Sequence, residues 1–217
     1  MKGTLINYDI RFLNKDMPFT YLQETFEQIL SVQFYDGRYR SFEGKMNMSS
    51  PQFFEKSSVY IDTSLSPNRF ERKLEEGTEN DLEANIVADL VEYAIRQMEF
   101  DDSLTLDDIG IISAYKSQVA LIKQKITAKF PHLKSKVHDL VATLDSYQGQ
   151  ECKIIIYSFT RSNSNPKHFP RIGFLKELRR LNVALSRGQK QLILIGDDSC
   201  LRSCELPDEG HFRNLFI

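Results

Sequence analysis

Five short, continuous runs of bulky apolar residues set the terms on which this 217-residue chain can fold: Val59-Tyr60-Ile61, Ile109 to Ile112, Leu140-Val141-Ala142, Ile154 to Tyr157 and Leu192 to Ile195. They do not alternate with polar residues, so they read as strands buried on both faces. Helical patterns lie between several of them. Asn80-Asp81-Leu82-Glu83 offers an N-cap followed three residues on by Glu, a capping-box arrangement. It opens a helix in which Leu82, Ile86, Leu90 and Ala94 share a face, with Val87, Val91 and Ile95 beside them. A second helix is expected from Ser117 to Lys129, with Val119, Ile122 and Ile126 inward, stopped near Pro131. A third includes Leu178 to Ser186 and ends near Gly188. Strands alternating with helices predict an α/β fold, a mostly parallel sheet with helices on both faces. Ligands of such sheets bind beyond the carboxyl ends of the strands, where the informative residues mostly fall. Residues 1–55 read irregularly and are expected to form an extension leading into a domain over residues 56–217.

Hydrophobic residues make up 41% of the chain and charged residues 27%, ordinary for a soluble globular protein. No run approaches the roughly 18 apolar residues of a membrane span, and the N-terminus lacks a signal-peptide pattern. The expectation is an intracellular protein, cytoplasmic or nuclear, with no membrane partner. Cys152, Cys200 and Cys204 cannot make a disulfide framework, and no second Cys or His pair stands near them at zinc-site spacing, so they read as ordinary thiols. Net charge is only −2, but its distribution is uneven. Between Arg161 and Lys190 stand eight basic residues against one acid, Glu177, whereas acids crowd the stretch from Glu75 to Asp108. A local basic patch can attract phosphates even in a nearly neutral molecule; a solvated basic face is the plainer account.

Three segments carry candidate chemistry. Ile109 to Gln118 runs from a buried strand through a polar turn into a helix, which puts Ser113, Tyr115 and Gln118 at the strand's carboxyl edge near helix N-terminal amides that suit phosphate oxygens. Val141 to Glu151 joins two strands by a hydroxyl-rich turn in which Gly149 permits close backbone approach to a ligand, and Glu151 is an acceptor suited to a ribose hydroxyl. Gly173 to Arg187 places several basic groups on one helix, with Leu178, Leu181 and Leu185 as its core-facing stripe. Arg187, at the helix end, is where a guanidinium can reach toward phosphate in a cleft.

In this order and spacing the segments resemble the later motifs of superfamily 1 helicases of the 5′-to-3′ type. The Val141-Ala142-Thr143-Leu144-Asp145-Ser146-Tyr147-Gln148-Gly149-Gln150-Glu151 turn is similar to motif V, and Arg179-Arg180-Leu181-Asn182-Val183-Ala184-Leu185-Ser186-Arg187 is similar to motif VI. Ile111 to Gln118, Asn80-x-x-Glu83-Ala84 and Phe34-Tyr35-Asp36-Gly37 match further landmarks, so the likeness covers roughly residues 20 to 197. It implies a RecA-like domain, the P-loop NTPase fold without its P-loop, acting as the C-terminal motor domain of an ATP-dependent helicase. By position, Arg187 matches the catalytic arginine that contacts the γ-phosphate of ATP held by the other domain, and Gly149 and Glu151 match nucleotide-cleft positions. Thr143, Ser146, Ser113, Tyr115 and Gln118 match positions on the nucleic-acid side, and Arg161 stands where the family often has an arginine. The implied partners are single-stranded DNA or RNA and an N-terminal RecA-like domain. ATP and Mg²⁺ are implied only together with that domain.

Two departures shape the expectation. No G-x-x-x-x-G-K-[ST] pattern is present, for Gly44-Lys45 lacks both the earlier Gly and the following hydroxyl, and no Walker B-type strand precedes the matched region. The family's aromatic-Arg-Met-His-Pro segment is also missing, since Thr25-Phe26 is followed by Glu27-Gln28 and the spacing to Phe34 is several residues short. Ala114 stands where Pro is usual. The chain is therefore expected to be inactive as an ATPase alone. The alternative is a degenerate RecA-like module that binds nucleic acid or protein without turnover.

Overall fold

Each of the five apolar runs folds into a strand of one sheet. The computed structural model describes residues 9–13, 58–98, 104–147, 151–165, 173–176 and 187–202. In chain order, β1 (Asp9–Leu13) and β2 (Ser58–Asp62) are followed by a small hairpin, β3 (Arg72–Lys73) and β4 (Thr78–Glu79), and by the helix α1 (Asp81–Met98). Then come β5 (Ile109–Ser113), α2 (Lys116–Lys129), α3 (Lys134–Leu140), β6 (Val141–Thr143), β7 (Cys152–Ser158), β8 (Gly188–Gly196) and α4 (Asp198–Arg202). The main sheet has the order β1-β2-β8-β7-β5-β6; β1 is antiparallel to its neighbour and the remaining pairs are parallel. This is the expected mostly parallel α/β, RecA-like arrangement.

Within each apolar run, successive side chains go to opposite faces, and both faces are covered. Ile61, Ile109, Ile111, Ile154, Ile156, Ile193 and Ile195 meet α1, α2 and α3 on one side. Tyr60, Ile112, Ile155, Tyr157, Leu192 and Leu194 meet Leu144, Tyr147, Leu175 and Leu201 on the other. The first layer explains why α1 is buried on more than one stripe. Ala84, Ala88 and Tyr93 are buried as well as the sequence-predicted Leu82, Ile86, Leu90 and Ala94. Gly110 matters on the second side, because a Cβ there would collide with the Tyr147 phenol. A strand with no side chain at that point lets Tyr147 lie flat against β5.

Two details differ from the sequence reading. Leu140 ends α3 instead of opening a strand, and the helix passes directly into β6. That seven-residue helix has only Val137 and Leu140 buried, too weak a periodicity to announce itself. The edge strand β1 lies inside the stretch that reads as irregular; its pairing partner, β2, is 45 residues away along the chain. The Phe34-to-Gly37 turn, Gly149 and the helix expected over Leu178 to Ser186 lie outside the described residues.

Candidate functional site

The candidate residues divide between the two ends of the strands. Ser113, Tyr115, Gln118, Thr143, Ser146 and Arg161 gather at the carboxyl ends of β5, β6 and β7. Glu151 and Arg187 lie at the opposite ends, just before β7 and β8. The expectation that informative residues fall at carboxyl ends therefore holds for the first group only.

At the carboxyl edge, three residues turn inward. Ser113 is fully buried, and its hydroxyl shares a 2.9 Å hydrogen bond with that of Thr160. Tyr115 is buried, and its ring lies under the Arg161 guanidinium, 5.8 Å from the ring centre. Gln118 is fully buried; its carbonyl accepts from the Asn80 backbone N–H at 2.7 Å, and its amide donates to Asn80 O and Ser158 Oγ, each at 3.1 Å. Thr143 and Ser146 face outward instead. Their hydroxyls are 2.7 Å apart, Ser146 Oγ donates to Thr143 O at 3.0 Å, and Ser146 is exposed. Of the candidate residues described at this edge, these two are the ones that are not buried.

Behind the edge lies a buried polar network that sequence reasoning only touched. The Asn80 side chain caps α1, accepting from the Glu83 N–H at 3.1 Å, so half of the capping box forms. The reciprocal half does not, because Gln118 takes the Asn80 N–H and Glu83 reaches across to the end of β7. There its carboxyl accepts from Ser158 Oγ at 2.6 Å and from Thr160 N–H at 2.8 Å. Thr160 sits at φ 70°, a conformation strained for a β-branched residue. It is held by the bonds to Glu83 and Ser113 and by the Asn80 side-chain amide, which donates to its carbonyl. Arg161 follows and is 5% exposed, its Nε 3.1 Å from Glu71 Oε2. The same oxygen accepts from Ser162 N–H at 2.9 Å and the Asn163 amide at 3.0 Å. Arg69 pairs likewise with the buried Asp197 at 3.2 Å. Nothing in a sequence read for strand ends marks Glu71, whose partners Ser162 and Asn163 are more than 90 residues away, whereas Asp197 also accepts locally from Cys200 N–H.

Arg69 and Arg161 are matched by Asp197 and Glu71, which leaves Glu83 with neutral donors only. Burial pushes its carboxyl up to about 8, against the hydrogen bonds from Ser158 and Thr160, with Asp197 and Glu71 adding to the rise. Burial likewise raises Asp62, at the end of β2, to about 6. The folded protein thus keeps protons that the unfolded chain loses from about pH 4.5 upward, so this contribution to stability is complete below that pH and is lost as pH rises through about 8. Urea unfolding should show stability declining from about pH 5 to about pH 8, and Glu83→Gln should flatten that slope. An unchanged slope in Glu83→Gln would remove Glu83 as its source.

At the amino edge, Arg187 immediately precedes β8, and its carbonyl accepts from Cys152 N–H at 3.2 Å, at the start of β7. The residue is half-buried, and its Nε is shut off from solvent without a hydrogen-bond partner among the described residues. Tyr147, on the turn that ends in Glu151, donates to Cys152 Sγ at 2.7 Å. Burial and that bond push the phenol's pKa up, while the nearby Arg187 charge pulls it down. Arg187 therefore stands near Tyr147 and Cys152, at the start of β7. Glu151 is exposed and accepts from the Gln189 amide at 3.3 Å. Among the described residues no group of three His, Cys, Asp or Glu could hold a metal ion, and no helix is long and apolar enough to cross a membrane.

A family model described as an AAA domain matches residues 22–199. Among curated proteins, helicase SEN1 of Saccharomyces cerevisiae is 30% identical over 180 residues, 81% of this chain and 8% of that protein. The DNA replication ATP-dependent helicase/nuclease JHS1 of Arabidopsis thaliana is 33% identical over 143 residues, 66% of this chain and 10% of its own. DNA polymerase alpha-associated DNA helicase A of Saccharomyces cerevisiae is 40% identical over 99 residues, 45% of this chain and 13% of its own. The chain thus spans a small part of the length of the relatives it matches.

Proposed function

The chain belongs to the AAA-domain family of superfamily 1 DNA/RNA helicases, and on that premise we propose that residues 56–217 are a C-terminal motor domain that completes an ATP site held mostly by another RecA-like domain. Arg187 supplies the guanidinium that meets the γ-phosphate across the cleft. Glu151 and Gly149 line the same cleft, and Glu151 takes a ribose hydroxyl. The opposite edge touches the backbone of a single DNA or RNA strand through Thr143 and Ser146. Ser113, Tyr115, Gln118 and Arg161 shape that edge from behind.

The observation that supports this reading most is the Arg187 Nε. A buried N–H without an acceptor costs about 1–3 kcal/mol, and an incoming phosphate oxygen relieves it. The fit extends to a phosphate and a ribose hydroxyl but not to the triphosphate cradle or its metal: the P-loop pattern is absent from the sequence, and the described residues offer no set of Mg²⁺ ligands. The chain alone is accordingly expected to hydrolyse no ATP. Its relatives are named as helicases, and we place its site of action with nucleic acid in the nucleus or cytoplasm. The missing Arg-Met-His-Pro segment favours a second reading, a RecA-like module that binds a strand without turnover.

Single-strand binding at two salt concentrations tests the nucleic-acid half. If about three Lys or Arg of the basic stretch from Arg161 to Lys190 reach phosphates as well, affinity falls roughly tenfold or more between 50 and 200 mM salt, whereas the neutral Thr143 and Ser146 hydroxyls by themselves add little salt dependence. Replacing both Thr143 and Ser146 by Ala should weaken binding further at either salt. Binding indifferent to salt and to those substitutions would remove the carboxyl edge from the interface.

A further inference from the structure

The loop between β2 and α1 places three large apolar side chains in solvent. Leu65 is 70% exposed, Phe70 51% and Leu74 40%. Single exposed apolar side chains are ordinary on a protein surface; what distinguishes this loop is that it is pinned at several points. Glu71 N–H donates to Ser162 O at 2.9 Å, and the Asn80 side-chain amide donates to Arg69 O at 2.8 Å. The Glu71 carboxylate is locked by Arg161, Ser162 and Asn163. The β3–β4 hairpin is closed by Arg72 on Glu79 and docked onto the first turn of α2, where Thr78 N–H donates to Ser117 Oγ at 3.0 Å and Ser117 Oγ donates back to Thr78 O at 2.6 Å. The backbone on either side of Phe70 is therefore fixed, and the ring is presented ready-made.

Two features say what it is presented to. The Arg69 guanidinium already lies over the Phe70 ring, 4.4 Å from its centre. A stacked guanidinium and aromatic ring form the platform on which single-stranded bases lie, since every base has a π-face. Position is the second. Ser117 stands between Tyr115 and Gln118, so the hairpin abuts the edge assigned above to the nucleic-acid strand. Arg72 and Lys73 are exposed beside the ring, but so are Glu75 and Glu76, so the loop adds little net charge. Stacking, not phosphate attraction, is what it contributes.

We propose that Phe70, backed by Arg69, is a base-stacking residue that receives an unpaired base of the strand crossing the carboxyl edge. This rests on the nucleic-acid reading of that edge and adds a contact that none of the motif residues makes.

The chain contains no tryptophan, so Phe70→Trp introduces a single fluorescent reporter at this position. An oligothymidylate of about a dozen nucleotides should quench its emission, and an abasic strand of the same length should not. Phe70→Ala should weaken oligothymidylate binding about tenfold, leave abasic-strand binding unchanged and leave the melting temperature alone, the ring being half in water. Tight binding without quenching overturns the stacking assignment and leaves the edge assignment standing. Equal losses on both strands would make the contact one with the backbone, against the proposal. Self-association lost in Phe70→Ala while strand binding persists would give the patch to a second copy of the chain. A wild-type chain that binds no single strand at all overturns the nucleic-acid reading itself, and the stacking with it.

Discussion

Arg187→Ala, in a protein that joins this chain to a P-loop domain, lowers ATP hydrolysis by about a thousandfold or more, the scale on which arginine fingers act in phosphoryl transfer. The size of the effect follows from where the group sits. Its Nε is closed to water and has no acceptor among the described residues, and its carbonyl accepts from Cys152 N–H at the start of β7. A guanidinium that meets the transferring phosphoryl oxygens in a site closed to water stabilises the charge that builds on them. Arg187→Lys keeps the charge but loses the planar fork, and should recover only a small part of the activity. Single-strand binding should change little in either variant, because Arg187 is at the other end of the strands from Thr143 and Ser146. Parental hydrolysis in Arg187→Ala would require the γ-phosphate assignment to be dropped.

Glu71→Ala should be the most damaging single substitution for stability in the loop region. It removes the carboxylate that meets the 5%-exposed Arg161 charge at 3.1 Å and strips an acceptor from Ser162 N–H and from the Asn163 amide. Breaking one side of a buried pair costs about 3–5 kcal/mol. For a chain of this size that is a fall in melting temperature of roughly 6–20 °C. Glu71→Gln retains an acceptor and should fall in between. Adding Arg161→Met to Glu71→Ala should recover part of the loss, because it removes the buried charge that the Glu71 carboxylate balances. A melting temperature within a degree or two of wild type in Glu71→Ala would mean that Arg161 finds other compensation.

The central sheet was legible because its strands are buried on both faces, and five continuous apolar runs are hard to place otherwise. The antiparallel edge strand β1 was not, since Asp9–Leu13 carries no such run and its partner is remote. At the site, the residues were legible and their directions were not. Ser113 and Gln118 stand where a strand end meets a helix, which is the pattern of a ligand contact, yet both side chains are spent on Thr160, Asn80 and Ser158. A capping box read from Asn80 and Glu83 was half right for the same reason: Gln118 competes for one of its two bonds and wins. Such outcomes depend on which remote groups the fold brings to each donor, and local spacing holds no record of that. Arg187 shows the converse. Its placement before the last strand follows from the order of helix and strand, but its position at the amino edge emerges only once β8 is seen running parallel to β7.

In the role proposed for it, Arg187 meets phosphate in the transition state more strongly than in the ground state. The direct measurement is the affinity of the joined protein for ADP with aluminium fluoride, a mimic of the phosphoryl group in flight, set beside its affinity for ADP alone. Arg187→Ala is expected to weaken the mimic by at least about a hundredfold and to leave ADP nearly untouched. Equal losses for both ligands, or none for either, would contradict the role given to that guanidinium.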